Sequence, residues 1–253
     1  MKKAFIVISI IEPDNNFHLS YKPFRTVFSP REREMQTIMT MTSIDTLTDD
    51  NTDIYFLEIS DDYAPYASRF HYLKNMKFVP IKTVLPEVHT LAKTHPNKSY
   101  CEALVLSAFM KTFKQELLEY DYIFKISGRY FLDHTFDLSL CTPYNKDKIF
   151  FKEHLSFEWN DKWSYNIVDN RSAQGDNCLR QYVTTIFGWG NENFDKFLDI
   201  FYVLAAILNQ PHLYHLDIET LIYYFTRPYQ DKIIETKWVM YGWQGGDGRF
   251  VRY

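Results

Sequence analysis

Residues 4–11 (AFIVISII) form a run that is apolar except for Ser9, and this run limits the possible folds of the chain more than any other segment. An apolar run of this length, without polar alternation, is typical of a strand buried on both faces of a parallel sheet. Parallel strands need crossover connections, usually helices, which cover the faces of the sheet. The run therefore predicts an α/β domain.

The segments that follow fit this prediction. Ser29, Pro30 and Glu32 form a capping box that predicts a helix from residue 30 to about 47. Ser99 and Glu102 repeat the capping pattern and predict a second helix from 99 to about 117. Apolar segments predict further strands at residues 53–59, 77–81 and 120–126. This order predicts a mixed, mostly parallel, Rossmann-like central sheet flanked by helices.

The second half of the chain gives a less regular pattern. Apolar segments predict strands at residues 148–151, 182–187 and 233–240, and helical periodicity predicts helices at 191–208 and 217–225. Residues 153–177 lack periodicity and are expected to form a long loop. The glycine-rich segment 242–248 is expected to be a turn. No repeat or linker divides the chain, so one domain is predicted.

Charge and cysteine usage exclude several classes of protein. The chain has 28 Lys and Arg against 32 Asp and Glu, for a net charge of −4, and no basic run, so nucleic acid is not an expected partner. Three cysteines without metal-ligand spacing favour a reducing compartment. No cleavage site follows the first apolar run, and no segment is long enough to span a bilayer. These features predict a cytoplasmic protein.

The segment most informative about function follows the strand predicted at 120–126. In open α/β sheets, ligands bind beyond the carboxyl ends of the strands, where Ser127, Gly128 and Arg129 are expected. Glycine lets a ligand approach the backbone, and a guanidinium binds phosphate through two hydrogen bonds. Lys125 lies within the apolar strand and therefore needs a carboxylate partner or a polar cleft. The alternative is a structural ion pair and a simple turn.

Residues 122–130 resemble a Lys-x-(Ser/Thr)-Gly-Arg-Tyr signature of GT-A-type glycosyltransferases from capsule and lipopolysaccharide gene clusters and some large viruses. Residues 97–103 and the Arg31-x-Arg33 pair are also similar to that group. The resemblance covers residues 4–132 well and the rest in outline. It implies a GT-A-like fold, with a nucleotide-sugar-binding half at 1–132 and an acceptor-binding half at 133–253, serving surface polysaccharide or glycan synthesis.

The resemblance also implies a set of donor-binding residues: Ser9, Ile10, Glu58, Asp61, Lys98, Ser99, Lys125, Ser127, Gly128, Arg129 and Tyr130. A D-x-D motif, which holds the metal in this family, is absent from the sequence. We therefore expect cationic side chains and a helix N-terminus to offset the diphosphate charge. No cofactor is predicted. A divalent metal such as manganese, held by Asp61 and Asp62, is the alternative.

Candidate catalytic carboxylates precede the helix predicted at 217–225. Asp217 and Glu219 are candidates for the general base of an inverting, hexosyl-type transfer, and His215 and Trp243 are candidate acceptor contacts. The structural alternative is that Asp217 caps the helix and Glu219 interacts with the helix dipole. The expected acceptor is a carbohydrate or a glycolipid, the latter reached through peripheral membrane contact.

Other functions fit the sequence less well. Gly188 and Gly190 follow a predicted strand, but the third glycine of a dinucleotide-binding fingerprint is missing. A sugar nucleotidyltransferase is the competing enzyme, although the chain lacks its basic glycine-rich start loop. A carbohydrate- or nucleotide-binding domain without turnover is the alternative from another class.

Overall fold

The computed structural model describes residues 1–20, 22–73, 75–158, 178–214, 216–245 and 247–253. The strands in this part of the chain are β1 Lys3–Ser9, β2 Thr52–Glu58, β3 Met76–Pro80, β4 Tyr122–Ser127, β5 Tyr130–Leu132, β6 Ile149–Lys152, β7 Leu155–Glu158, β8 Cys178–Gln181, β9 Ile186–Gly190, β10 Ile233–Thr236, β11 Met240–Trp243 and β12 Phe250–Arg252. The α-helices are α1 Pro30–Leu47, α2 Ala64–Arg69, α3 Ile81–Val84, α4 Pro86–Thr94, α5 Lys98–Thr112, α6 Lys114–Leu117, α7 Phe194–Leu208 and α8 Ile218–Thr226.

Seven strands form the central sheet in the order β10-β6-β9-β4-β1-β2-β3. Strand β9 runs antiparallel to both of its neighbours, and the other adjacent pairs are parallel. The predicted α/β class, with a mixed and mostly parallel sheet flanked by helices, is confirmed. The parallel pairing brings the carboxyl ends of β1, β2 and β4 to one edge, where Ser9 pairs with Glu58 and Ile8 with Ser127.

Strand β1 shows why the sheet needs helices on both faces. Its side chains alternate between two hydrophobic clusters, with Ala4 and Ile6 in one and Phe5 and Val7 in the other. All four are fully buried. Alternate side chains of a strand point to opposite faces, so each cluster covers one face of the sheet. The first cluster includes residues of α5, α7 and α8, and the second includes residues of α1.

Helix α1 begins where the capping box predicts. The Ser29 side chain accepts a hydrogen bond from the backbone N–H of Glu32, and the Glu32 carboxylate accepts one from the backbone N–H of Ser29. The helix ends at Leu47, as expected. This local pattern is sufficient to fix both the start and the direction of the helix.

The cap predicted for the second long helix is wrong. Asn97, not Ser99, caps α5, because its side-chain oxygen accepts a hydrogen bond from the backbone N–H of Tyr100. Asn and Ser are both strong caps, and Asn97 lies two residues earlier. Glu102 therefore takes no part in a capping box and forms an ion pair with Lys125 of β4. The helix also breaks near Phe113, so residues 114–117 form the separate helix α6.

Several boundaries in the second half of the chain differ from the prediction. Strands β8 and β9 flank residues 182–185, where one strand was expected at 182–187. Strand β7 lies within the loop predicted at 153–177, and the remainder of that loop, residues 159–177, lies outside the described residues. Gly188 and Gly190 lie inside β9 rather than after it, and the cap position of α7 is Asn193 instead of Asn191.

The apolar segment 233–240 is divided between two sheets. Strand β10 pairs with β6 at the edge of the central sheet, whereas β11 lies between β5 and β12 in an antiparallel three-stranded sheet. The glycine-rich segment that was expected to be a turn thus joins β11 to β12 as a hairpin. Since β5 follows β4 directly, Gly128 and Arg129 lie where the chain passes from the large sheet to the small one.

Among the described residues, no helix is both long enough and apolar enough to cross a bilayer.

Candidate functional site

Two adjoining cavities lie at the edge where β1, β2 and β4 end. We call the one lined by the ends of β1 and β4, Arg25, Arg33 and Ile59 the inner cavity. The outer cavity, of about 480 Å³, is lined by the start of α5, Gln181, and residues 183–185, 216–219 and 244–245. Both are lined by Lys98, Glu102, Ser127 and Arg129. The site predicted beyond the carboxyl ends of the strands is therefore a cleft, to which we refer as the main cleft.

The turn after β4 is held tightly against β1. The Gly128 N–H donates to the Ile8 carbonyl at 2.9 Å, and the Gly128 carbonyl accepts from the Thr37 hydroxyl at 3.1 Å. A Cβ at position 128 would lie 3.0 Å from the Ser9 Cβ. A side chain at this position would therefore press on β1, and glycine allows Arg129 to start at the floor of the cleft.

Three cationic side chains face this floor. Arg33 is 4% exposed and donates from Nε and one Nη to the Ile10 carbonyl, while its other Nη has no hydrogen-bond partner among the described residues. Arg129 and Lys98 line both cavities and form no ion pair with any described residue. We call Arg33, Lys98 and Arg129 the cation cluster. A group of cations at a cavity creates a positive potential that favours an anion.

The cation cluster is electrostatically strained without an anion. The positive charge of Arg129, followed by desolvation, lowers the pKa of Lys98 well below its ordinary value. Burial and the charge of Arg129 lower the pKa of Arg33 to about 9. Both shifts arise because each cation loses water and gains a neighbour of the same sign. A bound diphosphate would reverse both effects, and the N-terminus of α5 beside Lys98 would assist.

The C-terminal hairpin covers the cation cluster. A Cβ at Gly245 would lie 2.2 Å from Arg129 Nη1 and 3.4 Å from Lys98 Nζ, so the backbone of Gly245 rests directly on both cations. The Val27 N–H holds the Gly245 carbonyl at 3.2 Å. A side chain at this position would displace the guanidinium of Arg129 from its present place. The second half of the chain thus completes a site that begins in the first half.

Lys125 does not reach the cleft and is not in a position to contact a donor directly. It is fully buried, forms an ion pair with Glu102, and donates to the Ser127 hydroxyl at 3.0 Å and to the Thr184 carbonyl at 2.8 Å. The structural ion pair was the alternative interpretation of this residue. Because Glu102 and Ser127 line both cavities, Lys125 positions two side chains of the cleft from below.

Removing the charge of Glu102 is expected to destabilise the fold strongly. Glu102→Gln leaves the buried Lys125 ammonium without an anion, and breaking a buried pair in this way costs about 3–5 kcal/mol. The exposed pair between Lys114 and Asp195 is the matched control, because Asp195→Asn should cost about 1 kcal/mol or less. Urea unfolding of both variants measures the difference. Equal destabilisation would show that Lys125 is not held by Glu102.

Two carboxylates lie on the opposite wall of the outer cavity. Asp217 caps α8, since its side chain accepts a hydrogen bond from the Thr220 N–H at 2.7 Å. Glu219 accepts a hydrogen bond from the Thr184 hydroxyl at 3.0 Å. Burial, reinforced by the negative charges of Asp217 and Glu102, raises the pKa of Glu219 to about 7. A carboxylate with a pKa near neutrality is suited to accept a proton.

The other predicted donor residues have mixed positions. Ser9 and Ile10 line the inner cavity, and Ser99 and Tyr130 line the outer one. Glu58 does not line either cavity: its side chain is fully buried and accepts hydrogen bonds from the Ile11 and Ser60 N–H groups.

Neither Asp61 nor Trp243 lines the main cleft. Asp61 interacts with Lys93 and His89 at the surface. Trp243 lines a separate groove beside α1, and His215 lies outside the described residues. Within the described part of the chain, no group of three or more His, Cys, Asp and Glu side chains is arranged to hold a metal ion.

The sequence prediction missed the chemical importance of Arg33. The resemblance included it only as part of a similar helix, and its position in α1 gave no sign that it faces the ends of β1 and β4. Arg25 was missed as well. It is 8% exposed, lines the inner cavity, and donates from Nε to the Phe17 carbonyl at 3.1 Å. In the sequence, Arg25 is a charged residue in a long polar segment, a pattern that is not specific for a binding site.

No protein-family model and no curated protein sequence matches this chain. Among solved structures, it is similar to the glycosyltransferase GlyE of Streptococcus pneumoniae TIGR4, with a TM-score of 0.48 and 10% identity over 94% of this chain and 45% of the GlyE chain. It is also similar to mouse xyloside xylosyltransferase 1 in its apo form, with a TM-score of 0.49 and 6% identity over 93% and 85% of the two chains. The chain thus spans less than half the length of GlyE. These similarities are too weak to indicate the function of this chain.

Proposed function

We propose that this protein is a glycosyltransferase that moves a sugar from a nucleotide-sugar donor to a carbohydrate acceptor. The observation that carries the proposal is the cation cluster, whose three side chains line the inner cavity at the carboxyl ends of parallel strands. The negatively charged diphosphate of a nucleotide sugar complements the cations at such a position. The outer cavity, with Glu219 on its far wall, has room for the sugars.

The inner cavity, of about 90 Å³, is smaller than a whole nucleoside, and we propose that it receives part of the base. Its walls include Ile8, Ile10 and Ile59, which present apolar surface to a base, while Ser9 and Thr26 add polar groups at the edge. The diphosphate would then lie at Lys98 and Arg129, which line both cavities. This order places the transferred sugar in the outer cavity. Because the two halves of the chain both contribute, we propose that residues 1–253 act as one domain.

The proposed reaction is an inverting displacement. The acceptor hydroxyl oxygen forms a bond to the anomeric carbon of the donor as the bond between that carbon and the diphosphate oxygen breaks. The bonding electrons leave with the diphosphate, whose charge the cation cluster neutralises. The acceptor hydroxyl loses its proton to Glu219. Hexosyl transfer to a glycan or glycolipid, as in surface polysaccharide synthesis, is the substrate class that we propose.

We further propose that transfer does not need a divalent metal. Arg33, Lys98 and Arg129 together carry the positive charge that a metal would otherwise bring to the leaving group. Transfer measured as release of nucleoside diphosphate from a panel of nucleotide sugars should therefore persist in excess EDTA. Loss of transfer with chelator and its return with manganese would contradict this, and would direct attention to Asp61 and Asp217.

The same assay separates turnover from binding alone. A protein that binds nucleotide sugars or glycans but releases no nucleoside diphosphate under any condition would be a binding domain on this fold. Formation of a nucleotide sugar from a nucleoside triphosphate and a sugar phosphate would instead identify a nucleotidyltransferase. Either result would replace the proposed function.

A further inference from the structure

A second cavity lies outside the main cleft, between α1 and the C-terminal hairpin. This α1 groove has a volume of about 330 Å³, enough for one sugar ring, and is lined by Phe28, Arg31, Glu32, Met35, Gln36, Met39 and Trp243. Trp243 was predicted to contact the acceptor from the sequence. The structure places Trp243 in this groove and not in the main cleft.

Gln36 gives the α1 groove an unpartnered polar atom. The side chain is only 4% exposed, and its Oε1 has no hydrogen-bond partner among the described residues. Buried amide oxygens in proteins are almost always hydrogen-bonded, since an unsatisfied one costs stability. Because Gln36 lines the groove, a turn of its amide group would bring this oxygen within reach of a ligand that donates a hydrogen bond.

Trp243 gives the same groove an aromatic wall. Its ring lies 4.9 Å from that of Phe250 and 6.1 Å from that of Phe131, contacts that fix its orientation. An indole joins a flat apolar surface to one N–H donor. The apolar C–H face of a pyranose packs on such a surface, while its hydroxyls donate to groups such as the Gln36 amide. Together these two side chains favour a carbohydrate.

The α1 groove is close to the main cleft. Trp243 lines the groove, and Gly245, two residues later, rests on Arg129 in the outer cavity. Two residues of extended chain span about 7 Å, which is little more than one sugar unit. The groove and the outer cavity are therefore neighbours, on β11 and the residues that follow it.

We propose that the α1 groove is a second carbohydrate subsite that binds one sugar unit of the acceptor glycan away from the reacting hydroxyl. Its role in acceptor binding rests on the proposed function, whereas carbohydrate binding in the groove does not. The competing occupant is an acyl chain packed on Met35 and Met39, which are 52% and 37% exposed. An acyl chain would leave the Gln36 oxygen unsatisfied, so the geometry favours the sugar.

Saturation-transfer NMR on the full chain tests the proposal. The probes are glucose, galactose, xylose, N-acetylglucosamine, their β1,4-linked trisaccharides and dodecylphosphocholine. Gln36→Leu removes the amide and keeps the volume, and Trp243→Ala removes the ring. Gln230→Leu, on an exposed residue outside all three cavities, is the matched control. We expect at least one carbohydrate to bind the native chain and the control equally.

Affinity for that carbohydrate should fall about fivefold in Gln36→Leu, as for loss of one neutral hydrogen bond, and about tenfold or more in Trp243→Ala. Because Gln36→Leu also removes an unsatisfied buried oxygen, its Tm should equal or exceed that of the native chain. A merely structural glutamine would lower the Tm and leave sugar binding unchanged.

Three results would overturn the proposal: no carbohydrate binds, both variants bind as the native chain does, or dodecylphosphocholine alone occupies the groove. Titration with UDP, GDP and CMP keeps the two hypotheses apart. Failure of all nucleotides, with sugar binding that still depends on Gln36 and Trp243, would refute the proposed function and leave the carbohydrate subsite standing.

Discussion

Glu219→Gln is expected to lower transfer to the acceptor by about 10²–10⁴-fold, the usual contribution of a general base. The substitution keeps the size of the side chain and its hydrogen bond with the Thr184 hydroxyl, and removes only the ability to take a proton. Nucleotide affinity should therefore be unchanged. Steady-state rates with saturating donor, together with nucleotide titration of the same variant, measure both quantities.

The pKa of Glu219, raised to about 7, sets the expected pH dependence. As a base, Glu219 has to be ionised, so kcat/KM should rise with pH up to about 7 and then level off. The contribution of Glu219 to the free energy of unfolding should change in the opposite direction and fall as pH rises. The folded state holds the proton more tightly than the unfolded state, so the stabilising contribution is complete below about pH 4.5 and is lost as pH rises through about 7. Glu219→Gln should thus be more stable than the native chain at pH 8, by on the order of 1–3 kcal/mol.

Asp217→Asn is the control for this assignment, because asparagine caps helices as well as aspartate does. We expect a stability change of about 1 kcal/mol or less and nearly normal turnover. A large loss of turnover in Asp217→Asn, with normal turnover in Glu219→Gln, would move the base to Asp217. Normal turnover in both variants would remove the base from this wall and make a retaining mechanism the better proposal.

The second large effect is expected at Arg129. Arg129→Ala should weaken binding of a nucleoside diphosphate by about 10–100-fold, as for the loss of one or two charge-assisted hydrogen bonds. Binding of the nucleoside without phosphates should be unaffected. Removing one of three neighbouring cations also relieves their repulsion, so the Tm should not fall. Calorimetric titration and thermal unfolding of the same samples give the three values.

Arg249→Ala is the matched control for Arg129, since Arg249 lies in the C-terminal hairpin, pairs with Asp247 and lines neither cavity of the main cleft. Its nucleotide affinity should equal that of the native chain. Arg129→Lys should recover part of the affinity, because lysine restores the charge but not the two-pronged hydrogen bonding. Unchanged diphosphate affinity in Arg129→Ala would show that the cation cluster is not the phosphate site.

Local sequence was sufficient to predict elements whose causes are local. The run at residues 4–11 predicted β1, and the Ser29 box predicted α1, because burial on two faces and helix capping depend on neighbouring residues. The Ser-Gly-Arg turn was predicted at a strand end for the same reason. The general architecture followed from the alternation of these elements.

Contacts between distant residues set the features that could not be predicted. Glu102 has the spacing of a capping box, but its partner is Lys125, 23 residues away. The apolar segment 233–240 was predicted to be one strand. Strands β10 and β11 nevertheless belong to different sheets, because β10 pairs with β6 and β11 pairs with β5. The position of Gly245 on Arg129 joins the C-terminal hairpin to the turn after β4 and has no local signal.

The residues of the site also divide into those placed by local sequence and those placed by contacts between distant residues. Arg129, Ser127 and Gly128 were placed by the strand that precedes them, whereas Arg33 reaches the cleft only because α1 packs beside the ends of β1 and β4. Glu219 lies in the region expected for the base. Its raised pKa, however, depends on burial and on the charges of Asp217 and Glu102, which the fold brings together.

Calorimetric titration of the native chain in EDTA with a nucleoside, its monophosphate and its diphosphate, for the uridine, guanosine and cytidine series, measures whether the cation cluster binds a diphosphate. If the cation cluster binds the diphosphate of a nucleotide sugar, one series should show affinity that increases strongly with each phosphate, and this increase should weaken as salt is raised. Binding of the nucleosides and nucleotides of a series with equal affinity, or no binding in any series, would contradict the account.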